Sequence, residues 1–419
     1  MELRISEGSA LAASLTHHRD LHTGRSLWSS RRPPKIAISH LTRTIHCDAV
    51  VVGAGISGAL IAESLSDAGL RTVILDRRGA IAGSTLASTA LLQYELDMPL
   101  SLMADRIGRR RAERIWRRSR LAVDALRERT ERLGLQVEAV TRNSLYLDGN
   151  LLDARGLERE AEARRRVGLE VELLKPAAVK ERYGIRGRHA LLGFGNYSAD
   201  PLKLAAGFLN VALARGARLY APVDVADIAA HADGVTVYSA QGPEVRAACV
   251  IMATGYEMVK GIPRKGNRIC STWSIATRAQ PRALRPNMPM IWEAAEPYLY
   301  IRTTPRGEVV CGGEDEEISD SAARDAKIAA KAGVLSRKLG ALLPWLDTTP
   351  AFAWAGSFGD SPTSTPTVGR IPGKPNCYAA LGYGGNGTTF SLMAAQMLRN
   401  TIVGSGDADA DLVSFYRKF

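Results

Sequence analysis

The sequence predicts an α/β fold: a parallel sheet assembled from several distant segments, with a mixed, largely antiparallel β-sheet part of α+β character inserted into it. Three observations predict it. The stretch "VVVGAGISG" (Val50–Gly58) is an apolar strand that breaks into a glycine loop. Short apolar runs split by Pro and Gly fill the region between Gly261 and Gly313. A second strand, glycine loop and long helix close the chain in "NCYAALGYGGNGTTFSLMAAQMLRNTIVG".

The bulk numbers set the limits. The chain has 419 residues, 46% of them hydrophobic and 23% charged, so it has material for a large core and one or two domains. Its formal net charge is +12. A basic balance fits nucleic acid, an anionic surface or an arginine-rich composition. No RNA-recognition or zinc-knuckle signature is present, so no nucleic-acid partner is expected. The cysteines Cys47, Cys249, Cys270, Cys311 and Cys377 are scattered without CxxC spacing, which suggests neither a metal site nor a disulfide framework. They fit a reducing compartment, and a cytoplasmic location is expected. No apolar run reaches the ~18–20 residues of a membrane span.

Taken in order, residues 1–45 are polar and lack an apolar signal core, while Glu2, Glu7 and Asp20 argue against a transit peptide. An extended arm over the surface, disordered at its start, is expected. "DAVVVGAGISGALIAESLSDAGLRTVILDRR" then reads as strand, loop, helix, Gly69 as helix stop, and second strand, with apolar runs suited to a sheet covered on both faces. Residues 102–135 are helical, with Leu102, Ile107, Ile115, Leu121 and Leu126 as a core stripe. Arg109, Arg110, Arg111, Arg114, Arg117 and Arg118 form its basic side, a solvated face or a surface for RNA. Residues 156–183 are helical again; helix, glycine stop and strand follow in "DPLKLAAGFLNVALARGARLYAPVDVADI". "GVTVYSAQGPEVRAACVIMATGY" is a hairpin and a buried strand, and "STWSIATRA", "MIWEA", "YLYIRTT" and "EVVCGG" are antiparallel runs. Residues 320–343 return to helix. The expected division is an arm (1–45), a discontinuous nucleotide-binding part (46–100, 195–260 and 345–419) and a substrate part (101–194 and 261–344).

Gly53, Gly55 and Gly58 match GxGxxG between a strand and a helix, the Rossmann-like βαβ arrangement. Gly53 permits the turn, Gly55 lets backbone approach a pyrophosphate, and Gly58 lets helix and strand pack closely. The helix start, with Ile56 and Ser57, offers N–H groups to the phosphates. Asp76 ends the second strand where an acid would hold ribose hydroxyls, which disfavours a 2′-phosphate; Arg77 and Arg78 keep one open. Ser84, Thr85, Ser88 and Thr89 are candidates to bond the pyrophosphate or a ribityl chain. Ala253, Thr254 and Gly255 end a strand where backbone packs on the cofactor. Gly382, Gly384, Gly385 and Gly387, with Asn386, Thr388 and Thr389, form a second loop before a helix. NAD needs no second loop so far along the chain; FAD does, for its distant ring. There a helix N-terminus would stabilise charge developing on the reduced ring.

These segments, with "ADP" at Ala199–Pro201 and "TGRSLW" from Thr23, resemble the D-amino-acid oxidase (DAO) superfamily of FAD-dependent oxidoreductases from about Gly24 to the C-terminus. The resemblance implies oxidation of a C–N bond of an amine or amino acid: hydride passes to flavin N5, and the imine hydrolyses. It also implies that Val225 contacts adenine through its backbone. No protein base is strictly needed, which suits a chain whose only histidines beyond the arm and His46 are His189 and His231. A hydrolytic triad or metal enzyme would need more.

For the substrate, alternation in "YLYIR" puts Tyr298, Tyr300 and Arg302 on one face, a set suited to a carboxylate or polar amine or, equally, to a solvated surface. Gln93 and Glu95 reach the same side, and Trp273 and Trp354 are cavity walls or core. The catalytic candidates are Tyr300, Arg302 and Gln93. One departure from the family stands in "GSFGDSPTSTPTVG" (Gly356–Gly369): Phe358 replaces the arginine that clamps a carboxylate, and Thr363 replaces an aspartate. Either Arg302 takes over, or the substrate is an amine or a larger molecule. No cysteine lies near Gly356, so FAD is expected to be non-covalent. The electron acceptor is oxygen or another molecule. Alternatives are a dehydrogenase with a non-oxygen acceptor, a tRNA-modifying enzyme of the same fold, and a non-catalytic flavin subunit.

Overall fold

The strand Ile45–Val52 ends in an unbroken apolar run because helices cover one face of its sheet and a β-hairpin the other. The computed structural model describes residues 14–262 and 266–417. In it this strand is central to an eight-stranded sheet. Thr72–Leu75 and Arg218–Tyr220 continue the sheet in parallel on one side, and Glu244–Met252 and Cys377–Leu381 on the other. Thr367–Arg370 closes that side antiparallel. Ala49, Val51, Ile74 and Ile251 face the helices Ile56–Asp67, Pro201–Ala214 and Gly387–Ile402. Val50, Val52, Val73, Val250 and Met252 face the hairpin strands Val225–Ala230 and Val235–Ser239. "ADP" has a local cause: the Asp200 side chain accepts the N–H groups of Leu202 and Lys203, and Pro201 opens the helix.

The second sheet has ten strands and is mostly antiparallel. Its middle runs Phe352–Asp360, Arg268–Ala276, Val309–Glu316, Leu299–Thr303, Met290–Glu293, Val140–Leu147, Ala190–Ser198. One face packs on the helix Ile328–Leu342 through Leu335 and Leu339, against Trp273, Ile275, Leu299 and Ile301. The chain passes between the sheets more often than the sequence division supposes. Phe352–Asp360, Leu91–Leu92 and the end of Ala190–Ser198 all lie in this larger sheet. Among the described residues no helix is long and apolar enough to cross a membrane.

The arm takes part in both sheets. His22–Arg25 pairs antiparallel with Ala353–Gly356, and Ser39 bridges to Tyr220. The Leu15 N–H bonds the Val225 carbonyl at 2.8 Å, and the His17 N–H bonds the Met258 carbonyl at 3.0 Å. The expected disordered start of the arm falls outside the described residues.

Arg302 is where the structure departs most from expectation. Strand alternation does place it on the face of Tyr298 and Tyr300, but two residues advance a strand by about 6–7 Å. That carries Arg302 past the cavity and into the core, where it is 2% exposed. Its Nε donates to the Thr89 carbonyl and its Nη2 to the Ala199 carbonyl, and its guanidinium stacks over Trp28 at 4.9 Å. Burial pushes its pKa down to about 9, so it stays charged at neutral pH. It therefore does not replace the missing carboxylate clamp. Trp273 and Trp354 are likewise core, each with its indole N–H on a backbone carbonyl.

Two substitutions test this packing. A Cβ on Gly58 would lie 1.8 Å from the Gly53 carbonyl oxygen, so Gly58→Ala should lower stability by about 3 kcal/mol or more, seen in a urea unfolding curve. Arg302→Ala should cost roughly 2–4 kcal/mol by the same measurement, because two buried carbonyls lose a charged donor.

Candidate active site

A continuous groove runs between the sheets. Its two chambers share Ile56, Ser57, Ser84, Thr85 and Gly255 as walls. At the first chamber, Gly53 turns the chain with φ +116, and a Cβ there would lie 2.3 Å from the Ala253 carbonyl oxygen. The helix Ile56–Asp67 starts at Gly55 with no side-chain cap and no acid in its first turn. Its positive end is thus left facing the groove, as an anion site requires. The Ile56 N–H is held by Thr85 Oγ1 at 3.1 Å.

Asp76 lines this chamber, and its carboxylate organises the turn: it accepts the N–H groups of Ala54, Arg78 and Gly79 at 2.7–2.9 Å. Burial raises its pKa while those three donors oppose the shift. Arg77 and Arg78 also line the chamber, but both are paired with Glu257, at 2.5 and 2.6 Å. Glu257 is therefore the residue that occupies the two cations a 2′-phosphate would need. Nothing in the sequence marked it, since its partners lie 180 and 179 residues away. It also accepts the Arg19 N–H at 2.8 Å, which ties the arm to this end. Val225, Ala253 and Thr254 line the same chamber. The Val225 carbonyl already carries the Leu15 N–H.

The hydroxyl segment is fixed from behind. Trp354 Nε1 donates to the Ala87 carbonyl at 2.9 Å, Trp28 Nε1 to the Ser88 carbonyl at 2.6 Å, and Arg302 to the Thr89 carbonyl. Three consecutive carbonyls are thereby turned away from the groove, which Ser84, Thr85, Ser88 and Thr89 line. Trp28 is the last residue of "TGRSLW", so that lead-in has a structural reason.

At the second chamber, the helix Gly387–Ile402 also starts with no side-chain cap and no acid in its first turn. Its loop is strapped to the segment Gln93–Asp97. Asn386 Nδ2 donates to the Glu95 carbonyl at 2.9 Å, Thr389 Oγ1 to the Gln93 carbonyl at 3.0 Å, and the Gly385 N–H to Asp97 Oδ2 at 2.8 Å. Gly384, Gly385, Asn386, Gly387 and Thr388 line the chamber. Gly382 and Thr389 support the loop from outside it, and Gly58 does the same at the other end.

The facing wall comes from the larger sheet: Thr272, Trp292, Tyr298, Tyr300, Asp315 and Phe358. Gly312, opposite Tyr300, leaves room for that ring; a Cβ there would lie 2.4 Å from it. Tyr300 Oη lies 3.2 Å from Thr272 Oγ1, and Tyr298 donates to Asp315 Oδ2 at 2.8 Å. Burial pushes both phenols up, and pushes the Asp315 and Asp97 carboxyls up to about 6. Gln93 lines the chamber, whereas Glu95 is fully buried beside Arg164 and Ser144. Asp97, Asp315, Trp292 and Tyr256, which also walls this chamber, escaped the sequence reading.

The residues present fit FAD. Two helix starts, each with no N-cap side chain and no acid in its first turn, face one groove at its separate chambers, and the Gln93 Oε1, buried on the wall, has no hydrogen-bond partner within the protein. Adenosine would lie by Asp76 and Val225, the pyrophosphate at Gly55–Ser57, and the ring by Gly384–Thr388.

Comparison with known proteins agrees. γ-Glutamylputrescine oxidoreductase of Escherichia coli (strain K12) is 25% identical over 379 residues, 88% of this chain and 86% of that protein. A shorter match, 22% identical over 188 residues, joins 45% of this chain to 36% of a Bacillus subtilis (strain 168) protein named for a Rieske 2Fe-2S centre, so it spans about a third of that relative. The fold is that of glycine oxidase from Geobacillus kaustophilus, with a TM-score of 0.72 at 21% identity over 90% of this chain and 100% of that one. The sequence profile of the DAO family, described as FAD dependent oxidoreductase, matches residues 48–401. With both glycine loops of the groove inside that match, the chain belongs to the DAO family of FAD-dependent oxidoreductases.

Proposed function

We propose that the chain oxidises a C–N bond of a small amine or amino acid. The carbon beside nitrogen gives up hydride, the nitrogen gives up a proton, and the resulting imine takes up water to yield a carbonyl compound and an amine. Bound FAD supplies the two-electron sink. The chain's own contribution is binding and orientation. Tyr298, Tyr300 and Trp292 wall a cavity in which substrate meets the ring, and the helix start at Gly387 favours the negative charge that the ring gains.

The observation that carries this reading is the uncapped start of the helix Gly387–Ile402 at the wall of a chamber continuous with the dinucleotide loop. Among the described residues no histidine lines that chamber, which suits hydride removal from a neutral amine better than proton abstraction by an imidazole. No cysteine lines it either, which supports non-covalent FAD. The relatives' names point the same way, one to γ-glutamylputrescine and one to glycine.

The purified protein should be yellow, and mild denaturation should release intact FAD to the supernatant. Gly55→Val tests the pyrophosphate site. The only neighbour of a Cβ there is Thr85 Oγ1 at 3.2 Å, so the variant should fold like wild-type apoprotein by circular dichroism while binding FAD at least tenfold more weakly. An anaerobic screen of amines and amino acids should bleach the flavin of the wild type. If a flavin-loaded protein is bleached by none of them, the C–N reading is wrong.

A further inference from the structure

The substrate chamber has a definite charge. Among the described residues its wall contains no Arg, Lys or His, but it contains Asp97 and Asp315. Neither has an ion-pair partner among the described residues. Other acids close by are compensated: Glu314 and Glu316 by Lys331, Lys338 and Lys327, and Asp360 by Arg268. Asp315 has one oxygen on the Tyr298 hydroxyl, and its other, Oδ1, is buried without a partner. Gln93, 6% exposed, presents a second buried acceptor on the same wall, Oε1, also without a partner. An unpaired carboxylate walled by protein is costly unless a cation meets it. Phe358 stands on this wall at the position where the family resemblance places a carboxylate-clamping arginine, and Arg302 is turned into the core.

Resting on the amine-oxidising reading above, we infer that the substrate binds as a cation and carries no carboxylate beside the oxidised carbon, with Asp315 as the group that selects it. Asp97 stands at the junction with an outer chamber, which it shares with Asp315, Trp292, Tyr298 and Phe358. In that chamber carboxylates outnumber cations. A chain with a second ammonium group, reaching from the ring outward, passes Asp315 and Asp97 and enters a chamber with more carboxylates than cations. An α-amino acid would instead set its carboxylate beside Asp315 with no cation to receive it.

The groups acting on these two acids leave the charge in place. Asp315 feels Lys331, itself paired with Glu314 and Glu316, along with Tyr298, Glu314 and Thr272. Asp97 feels Asp360, Asp315 and the Gly385 N–H. Both carboxyls, held near 6, are neutral below that pH and charged above it.

The test uses the oxidised, FAD-loaded protein. Tetramethylammonium, which cannot form an imine and keeps its charge at every pH, is titrated in while the visible flavin spectrum is followed; acetate is titrated in parallel. The cation should bind and acetate should not. Cation affinity should rise about tenfold or more from about pH 5 to about pH 8. Asp315→Asn should weaken it at least tenfold and flatten the pH profile, with the FAD content unchanged; Asp97→Asn should weaken it less. In anaerobic reduction, 1,4-diaminobutane should outpace ornithine, the same chain with a carboxylate added. Acetate binding as tightly as the cation, an unchanged Asp315→Asn, or ornithine as the faster reductant would overturn the inference while leaving C–N oxidation standing. Asp315-dependent cation binding in a protein whose flavin no amine bleaches would do the reverse.

Discussion

Three stretches of backbone meet within van der Waals distance at Gly53, Gly58 and Ala253, and the rest of the molecule is arranged around that contact. No side chain fits between them: a Cβ on Gly58 would overlap the Gly53 carbonyl, and one on Gly53 would overlap that of Ala253. The closeness lets the helix Ile56–Asp67 start directly at the strand end, with its N-terminal dipole aimed along the groove. The same approach joins Glu244–Met252 to the central strand, and that strand in turn carries Cys377–Leu381 and the second loop. One backbone crossing thus sets the positions of both helix starts that face the cofactor site.

Much of this was legible in the sequence because the signals are local. A glycine loop between an apolar strand and a helix has few structural solutions, and there are two of them here. Ser84, Thr85, Ser88, Thr89 and Ala253–Gly255, singled out on the same local signals, line the groove. What escaped depends on distant partners. Glu257 matters through Arg77 and Arg78, and Trp28, Trp354 and Arg302 through three successive carbonyls at 87–89. Alternation assigned Arg302 to the right face of its strand but carried no information on how far along it the cavity extends. Asp97 and Asp315 were invisible because an acid at the end of a segment or strand looks like surface until the opposite wall is known.

Several arginines of the basic helix are held in ion pairs within the protein. In the helix Arg109–Arg132, Arg114 pairs with Asp409 and Asp411, Arg118 with Asp407, and Arg129 with Glu63 and Asp67. These arginines fasten the C-terminal segment and the nucleotide-binding helix to the domain between them. These paired cations join elements, while the chamber beside the second glycine loop is lined by Asp97 and Asp315 and, among the described residues, by no cation. Net charge and site charge have opposite signs in one chain.

The short strand His22–Arg25 has a role unrelated to chemistry. It lies against Ala353–Gly356 at the outer margin of the ten-stranded sheet, followed by the Ser357 N–H on the Leu21 carbonyl. Without it, half of a nine-residue strand would offer a row of open amide groups to the next molecule, the geometry in which sheets add to one another without limit. With Gly24 and Arg25 in place, the last strand is four residues long, kinked and charged, a poor template for further growth. The arm serves as a selvage: it finishes the border of the sheet with a short strand that gives a further strand little to pair with.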